Sequence, residues 1–452
     1  MRTIEAIDHR HAGRAIARLA VPNALAFLSD QLLGIVDTIA IGSLGVASLA
    51  GITGAMSVFL VFGIGLFAFG SGLRIIGAQA IGAGHTAQRY GTIVRSSAVV
   101  PLAIAILLAL AFGFAAHPLM RLVLPAHATI GAAAHYLALR AWCLVPMVLT
   151  GQLIVAFATA GDTKLALRVL VAINIVHIPL LLVLALGFGT HRPLGLAGAG
   201  MSSLVAETVG LAYAIVATVR RPELGVFFSW RIDPDLVRAT ASLSWPDFVF
   251  LTLQVLPDPI TVALLAPAGV ETIAAYRALS IVNDATWAIP GSLGDACETI
   301  IGQRIGARDY AGARSFVRAS VRIGVAVCAI VGALVAAFAW PLSALCTLDV
   351  GLANVVALPL AVHALLTLPL KGYAMTLIAP IRASGDTRWV MFMGIVTTII
   401  STSGIVVAIV VLHLTLWALP IGLVLGWIFR DLATRARVDS RDWERRRLAV
   451  AN

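Results

Sequence analysis

Two carboxylates lie within an apolar stretch near the amino terminus, where an ionisable side chain is expected to have a chemical role. Asp30 and Asp37 are seven residues apart. Seven residues make two helical turns, so the two side chains are predicted on nearly the same helix face, about 10 Å apart. A carboxyl group at membrane depth costs about 2.5–3.5 kcal/mol on insertion scales, and burial favours its neutral form. We interpret Asp37 as a proton-binding group and Asp30 as a relay for that proton. For each residue the alternative is a buried, hydrogen-bonded structural aspartate.

Two features in the second half of the chain place further ionisable groups in apolar surroundings. Asp258 lies between Pro257 and Pro259, and prolines leave backbone carbonyls unpaired, which membrane depth tolerates only beside protein or water. A broken helix there would bind a cation or a substrate; a plain kink is the alternative. Lys371, one of two lysines in the chain, lies within the apolar stretch 352–381. In order of preference, we expect it to pair with Asp258, to act as a built-in cation, or to select an anionic or zwitterionic substrate.

The composition indicates that these residues are positioned by membrane-spanning helices. The 452 residues are 60% hydrophobic and only 12% charged, and the mean hydropathy is +0.96. That is more apolar surface than an aqueous core buries, and runs of about 20 apolar residues recur along the chain. We predict an all-α membrane protein with about twelve spanning helices, the first of which is retained rather than cleaved as a signal peptide. The four cysteines are interpreted as small buried hydrophobes.

The positive charge is distributed asymmetrically. Of the 32 Lys and Arg residues, 24 fall in alternate connections, whereas the opposite connections hold only Arg121, Arg192 and Arg277. By the positive-inside rule, both termini and residues 219–242 are predicted in the cytoplasm, and the chain in a bacterial inner membrane. The net charge of +10 is thus expected to meet anionic lipid headgroups and not nucleic acid.

The chain repeats itself at an offset of 224 residues, and a fixed offset indicates duplicated architecture. The matching segments are Leu19–Asn23 with Leu243–Asp247, Gln79–Ala83 with Gln303–Ala307, and Ala160–Lys164 with Ser384–Arg388. We predict two six-helix lobes related by a pseudo-twofold axis, with the substrate cavity between them. The predicted boundaries are 1–220 for the first lobe, 221–242 for a cytoplasmic linker, 243–433 for the second lobe and 434–452 for a basic tail.

The same offset relates individual polar residues. Asp30 corresponds to Gln254, so this depth is polar in both halves. Arg74 corresponds to Glu298, and we hypothesise that these two side chains meet as a gate when the cytoplasmic side closes. The Gly-Asp-Thr sequences at 161–163 and 385–387 are interpreted as structural turns in which Gly ends one helix and Asp caps the next.

Several of these segments resemble the multidrug and toxic compound extrusion (MATE) family over nearly the whole chain. They are Val36-Asp37-Thr38 within 22–45, the run at 77–84, the run from Ala296 to Gln303, and both Gly-Asp-Thr turns. The sequences at 140–142 and 294–303 are most similar to its DNA-damage-inducible-protein-F-like branch. The resemblance implies a V-shaped pair of six-helix lobes, alternating access, and export of organic compounds driven by proton or sodium entry.

The resemblance also implies a cation site in the amino lobe, formed here by Asp37, Asn174 and Ser203. Ile178 replaces the family's second helix-5 acid, and His177 beside it either titrates in place of that acid or packs as a neutral histidine.

In the other lobe, Gln254 and Lys371 stand where a branch of the family has acids. Arg140 is expected to neutralise a carboxylate near the outer cavity, or else to snorkel to the interface. Glu207 is interpreted as structural.

The predicted function is a secondary antiporter that exports amphipathic organic compounds in exchange for protons. Protons are favoured over sodium because the site has few hard oxygen ligands. The alternative is a flippase for a lipid-linked or anionic amphipathic substrate. The sequence contains no HExxH, GxSxG or Walker motif, so no enzymatic activity is expected. No cofactor is expected; the partners are a small-molecule substrate and membrane lipids, and the chain is expected to act as a monomer.

Overall fold

The computed structural model describes residues 12–124, 127–187, 192–227, 230–347 and 349–446. These residues form α-helices joined by turns and short 3-10 segments, and no β-strand occurs among them. The helices are α1 (Ala12–Gly42), α2 (Val46–Gly63), α3 (Gly70–Gly82), α4 (Ala87–Val123), α5 (His127–Trp142), α6 (Leu144–Thr159), α7 (Lys164–Leu184), α8 (Leu196–Val219), α9 (Pro234–Leu253), α10 (Pro257–Leu265), α11 (Val270–Thr286), α12 (Ala288–Gly306), α13 (Tyr310–Ala337), α14 (Ala339–Thr347), α15 (Val350–Leu377), α16 (Ala379–Ala383), α17 (Thr387–Val410), α18 (Ala418–Asp439) and α19 (Asp442–Arg445).

Eleven helical stretches in the described part of the chain are long and apolar enough to cross a membrane. The predicted all-α membrane fold is therefore confirmed. The remaining long helical stretch of the described residues, α11 followed by α12, is not among the eleven; each of these helices carries three charged residues. Its charged residues are Glu271, Arg277, Asp284, Asp295, Glu298 and Arg304.

The two Gly-Asp-Thr sequences end one helix and begin the next. Gly161 and Gly385 have φ values of +91° and +85°, a left-handed conformation that glycine adopts without strain. The Oδ1 atom of Asp162 accepts a hydrogen bond from the Lys164 amide at 3.1 Å. Asp386 makes no such cap; its carboxylate binds arginines instead, as described below. Asp162 thus contacts the first amide of α7 from the position before the N-cap residue Thr163, which makes no side-chain cap. The expected aspartate N-cap is therefore found at neither turn.

The described residues pack as two compact units. The first unit consists of 25–77 and 85–248, and the second of the described parts of 2–24, 78–84 and 249–452. The start of α1 thus belongs to the second unit, where Ile16 and Leu19 pack in one core with Ile300 and Phe316. The start of α9 belongs to the first unit, where the Ser244 hydroxyl accepts a hydrogen bond from the Gly72 amide at 3.0 Å. Both changes of unit, after residues 24 and 248, come two residues beyond a proline of the repeated segment and are separated by the repeat offset.

A reciprocal backbone contact joins two repeat-equivalent segments within the second unit. A Cβ atom added to Gly82 would lie 1.8 Å from the Gln303 carbonyl oxygen, and one added to Gly306 would lie 2.0 Å from the Gln79 carbonyl oxygen. Each glycine therefore rests on the backbone of the glutamine that begins the other Gln-x-x-Gly sequence. Only glycine permits this approach, which gives the repeated sequence a packing function.

All four cysteines have free thiols. Cys143, Cys297 and Cys328 are buried, and Cys346 is partly exposed. Their surroundings are those of small core residues.

Candidate functional site

A close contact between titratable groups in the first unit joins α1 to α7. The Nε2 atom of His177 lies 2.7 Å from the Oδ1 atom of Asp37. The His177 side chain is 3% exposed and that of Asp37 is 23% exposed. At this distance the imidazole and the carboxylate form a hydrogen bond, whose donor depends on the histidine tautomer. The structure thus places His177 against Asp37, as its candidate role beside the missing acid requires.

Asn174 lies one helical turn before His177 on the same face of α7. Its Nδ2 atom donates hydrogen bonds to the Ser29 hydroxyl at 2.7 Å and to the Ser29 carbonyl at 3.3 Å. Asn174 and His177 therefore fasten two successive turns of α7 to α1, which fixes the direction of the imidazole. The buried Oδ1 atom of Asn174 has no hydrogen-bond partner in the described residues, so one amide oxygen is available beside the pair.

Arg140 brings a positive charge from α5 to the same region. Its guanidinium carbon lies 5.1 Å from the centroid of the Phe59 ring. It interacts electrostatically with Asp37 and Glu207 and with Asp30. The structure thus favours the neutralising role expected for Arg140 over snorkelling.

Glu207 is the residue in this cluster that the sequence analysis set aside as structural. It lies on α8, where its charge interacts with those of Arg140, Asp30 and His177. Ser203, one turn earlier on α8, is buried, and its hydroxyl donates to the Ala199 carbonyl at 3.1 Å. We name Asp30, Asp37, Arg140, His177 and Glu207 the amino cluster. Four helices contribute to it: α1, α5, α7 and α8.

Lys371 does not pair with Asp258, and the first expectation for it was wrong. Its ammonium group donates a hydrogen bond to the Asn283 side-chain oxygen at 2.7 Å and lies 5.8 Å from the centroid of the Trp287 ring. The Nε2 atom of His363 lies 3.1 Å from the same Asn283 oxygen. Lys371 is 2% exposed, so these neighbours replace its hydration shell.

Asp258 has a different partner for a geometric reason. Arg277, which sequence analysis placed in a connection, lies within α11, and its Nη1 atom contacts both carboxylate oxygens at 3.0 and 2.8 Å. The Tyr276 hydroxyl donates to the same carboxylate at 3.0 Å. Gln254 is exposed in the turn that separates α9 from α10, so the helix is interrupted just before Pro257.

The hypothesised gate residues belong to different compact units. Glu298 is buried in α12, and its Oε2 atom accepts a hydrogen bond from the Arg382 Nε atom at 3.1 Å. Arg74 lies on α3 in the first unit. The gate between Arg74 and Glu298 stays a prediction.

The aspartates of the two Gly-Asp-Thr turns bind arginines at equivalent places. Asp162 binds Arg221, just after α8, at 3.2 Å. Asp386 binds Arg437 near the end of α18 at 2.7 Å and Arg446 at 2.8 Å. The first turn therefore binds the segment after α8, and the second turn binds the end of α18 and the segment after it. A structural role for both turns stays the interpretation.

The MatE family model matches the chain twice, over residues 22–183 and 248–410. The chain belongs to the MatE family. The two matches together cover more than half of the sequence, and each falls in one half of the repeat. MatE proteins are transporters, so the chain is a membrane transporter and not an enzyme.

Relatives and solved structures agree with this assignment. The chain is 22% identical to the probable multidrug resistance protein YoeA of Bacillus subtilis over 83% of its length and 82% of that protein. It is 26% identical to the probable multidrug resistance protein NorM of Synechocystis over 73% of its length and 71% of that protein. A mutant of the Vibrio cholerae MATE transporter VcmN has a TM-score of 0.86 at 20% identity, covering 96% of this chain and 99% of that one.

A second solved structure, a MOP superfamily transporter from Pyrococcus furiosus, has a TM-score of 0.85 at 17% identity. It covers 98% of this chain and 100% of that one, and its description states that the reverse polarity of its binding pocket suggests a different function. At these identities the structures show a shared MATE fold.

Proposed function

We propose that this MatE transporter is an antiporter that exports amphipathic organic compounds in exchange for protons by alternating access. It would act in a bacterial inner membrane, with both termini in the cytoplasm. The observation that supports the proposal most is the 2.7 Å contact between Asp37 and His177. The same site would not need a cofactor, because a proton is held by the side chains alone.

The amino cluster has the composition that proton exchange requires. Three carboxylates and two basic side chains meet within the first unit, so the addition of a proton changes the balance of a compact charge network. Asp37 is the most suitable carrier because it is partly exposed, whereas His177 is almost fully buried. Water can therefore reach the carboxylate to deliver or remove the proton, while the imidazole holds the carboxylate in position.

Sodium is the weaker candidate for the coupling ion. A hard cation prefers several oxygen ligands, but the Asp37 oxygen faces an imidazole nitrogen at hydrogen-bond distance. Asn174 directs its nitrogen to Ser29 and offers one unpaired side-chain oxygen, which is fewer ligands than such a cation prefers. A sodium ion at Asp37 would have to displace the His177 contact, whereas a proton strengthens it.

The proposal for the cargo draws on the relatives. Both curated relatives are described as probable multidrug resistance proteins, and we extend that substrate class to this chain. The alternative, a flippase for an anionic amphipathic lipid, would use Lys371 and Arg140 to bind a headgroup. Both cations already have internal partners, Asn283 for Lys371 and the carboxylates of the amino cluster for Arg140. We therefore favour the antiporter.

A reconstituted system tests the proposal. Purified protein in liposomes is given an imposed pH gradient, with ethidium as the transported probe and potassium in place of sodium. We expect transport that follows the pH gradient in the wild type and in Asp439→Asn, an exposed acid on α18, and no coupled transport in Asp37→Asn. Transport that ignores the pH gradient and survives Asp37→Asn contradicts the proposal and favours the flippase.

A further inference from the structure

A further buried carboxyl group lies in the second unit, outside every site described above. Asp431, on α18, is 7% exposed. Its Oδ1 atom has no hydrogen-bond partner in the described residues, and neither does the buried hydroxyl of Thr434, three residues later on the same helix. Two polar groups on one helix face are thus left unsatisfied. Such groups are rare in native structures and call for an explanation.

The charge next to Asp431 is that of Arg430. Arg430 is 3% exposed, and its guanidinium carbon lies 5.1 Å from the Trp427 ring and 5.9 Å from the Phe250 ring. The two aromatic faces hold the guanidinium, and Arg430 interacts with Asp431 electrostatically without a hydrogen bond to its Oδ1 atom. Asp431 therefore sits beside a cation that does not satisfy it.

Other charged or titratable groups on the elements that pack against α18 have partners of their own or face solvent. They are Lys371, hydrogen-bonded to Asn283; His363, in contact with Asn283; Tyr373, which interacts with Arg435; Arg382, hydrogen-bonded to Glu298; Arg388, exposed on α17; Asp442, bound to Arg437; Glu444, bound to Arg314; and Arg445, exposed on α19. On α17, the nearby Thr397 hydroxyl donates to the Met393 carbonyl at 2.7 Å. Arg430 is thus the charge that interacts with Asp431 within the described residues.

The repeat equivalent of Asp431 in the other half is also an acidic residue of the proposed proton site. The repeat offset of 224 residues relates Asp431 to Glu207 of the amino cluster. Both residues lie on the last long helix of their half, α18 and α8. Both interact with an arginine charge, supplied by Arg430 in one case and by Arg140 in the other. An acid at this position of both repeats is what a duplicated proton site would retain.

The unpaired Oδ1 atom of Asp431 bears on whether this carboxyl group is ionised or protonated. An ionised carboxylate with an unpaired buried oxygen bears the full cost of desolvation. Protonation removes the charge and gives the group a donor of its own, which the unpaired Thr434 hydroxyl is placed on the same face to accept. A carboxylic acid therefore fits the observed surroundings better than a carboxylate.

We propose that Asp431 is a second proton-binding site of the transporter, loaded in the state described here and emptied during the transport cycle. Loading of Asp431 is independent of Asp37, whereas its emptying during transport rests on the proposed proton coupling. The chain would thus exchange protons at one site in each half of the repeat.

Infrared difference spectroscopy of the full-length protein in lipid tests the loading. At neutral pH we expect a carbonyl stretching band of a protonated carboxyl group that disappears in Asp431→Asn. The contribution of Asp431 to this band should remain in Asp37→Asn, and the whole band should remain in the control Asp439→Asn. If Asp431→Asn does not fold, Asp431→Glu serves, because the band then shifts in frequency. A spectrum that neither variant changes overturns the proposal.

The emptying is tested by the number of protons exchanged per ethidium molecule in liposomes. We expect this ratio to fall in Asp431→Asn with transport retained, and an unchanged ratio overturns the proposed exchange at Asp431. Failure of the antiporter proposal is separate, because it appears as gradient-independent transport in Asp37→Asn while the infrared band of Asp431 persists.

Discussion

The imidazole of His177 contacts the carboxylate of Asp37 at 2.7 Å. The two residues are 140 positions apart in sequence, and their contact joins α7 to α1. Neither helix alone positions the groups. Asn174 fastens the preceding turn of α7 to Ser29 of α1, so the imidazole approaches the carboxylate from a fixed direction. The pair is therefore held in place from both helices, as the proposed proton site requires.

Replacement of the imidazole tests whether it titrates with Asp37. His177→Gln keeps a hydrogen-bond donor but removes the basic nitrogen. We expect initial transport rates to lose one titrating limb of their pH profile while the substrate dependence changes little. His117→Gln, on the exposed face of α4, is the control and should keep the wild-type profile. An unchanged profile in His177→Gln would mean that Asp37 works without it.

Arg140 should be the most sensitive residue of the amino cluster to a loss of charge. Arg140→Met removes the guanidinium from the amino cluster and leaves His177 as its remaining basic side chain, and the removal of one partner from a buried charge pair costs about 3–5 kcal/mol. We expect a lower unfolding temperature of the purified protein. Adding Glu207→Gln should recover part of this loss, because coupled charges do not add. Strict additivity of the two substitutions would argue against a shared network.

The Gln-x-x-Gly contact predicts a sharp difference between glycines. Gly82→Ala and Gly306→Ala each push a methyl group into a backbone carbonyl, and overpacking of this kind costs about 1–3 kcal/mol. Gly113→Ala, on α4, has no atom within 4 Å of the new methyl group and should be neutral or slightly stabilising. Thermal unfolding of the purified variants measures the difference, and equal unfolding temperatures would refute the packing role.

Release of the carboxy-terminal segment should follow the loss of Asp386. Asp386→Asn removes the charge that binds Arg437 and Arg446, so the buried Trp443 should become accessible and its fluorescence should be quenched by iodide. Asp439→Asn breaks only an exposed pair with Arg435 and should leave Trp443 protected. Protection that persists in Asp386→Asn would show that the apolar contacts of Trp443 suffice.

The stability that the connection before α9 contributes to the protein should decrease at acid pH. Partial burial raises the pKa of the Asp233 carboxyl, but hydrogen bonds from Arg89 and from the amides of Asp235 and Leu236 outweigh it and hold the pKa below its usual value. A depressed folded-state pKa stabilises the protein above the unfolded pKa of about 4, and this contribution is lost as the pH falls through the folded value.

We therefore expect Asp233→Asn to lower the unfolding temperature at pH 7, and to make a smaller difference at an acid pH below the unfolded pKa of about 4. Limited proteolysis of residues 225–233 at both pH values checks the location of the effect. Equal differences at both pH values would point to a cause other than ionisation.

The sequence predicted the fold, and it singled out part of the candidate site, for identifiable reasons. Apolar length revealed the spanning helices, and the fixed offset revealed the repeat. Asp37 stood out because a carboxylate in an apolar stretch is rare. The partners were harder to predict, since they depend on which helix faces which. Asp258 binds Arg277 because Arg277 lies within α11, and no spacing rule in the sequence predicted this pairing.

The pairing of Glu207 with Asp431 as equivalent acids could have been predicted from the sequence. Each is an acid in an apolar stretch, and the repeat offset relates them. What the sequence lacked was burial: only the packing of α8 and α18 shows that both acids point into protein and lie near an arginine charge.

The location of the cysteines has a practical consequence for chemical labelling. Three thiols are enclosed by the protein, and only that of Cys346 is partly open to a reagent. A single Cys346→Ser substitution should therefore give a nearly silent background for maleimide probes. Reporter cysteines can then be introduced one at a time for distance and accessibility measurements, without disturbing the buried thiols on which the packing depends.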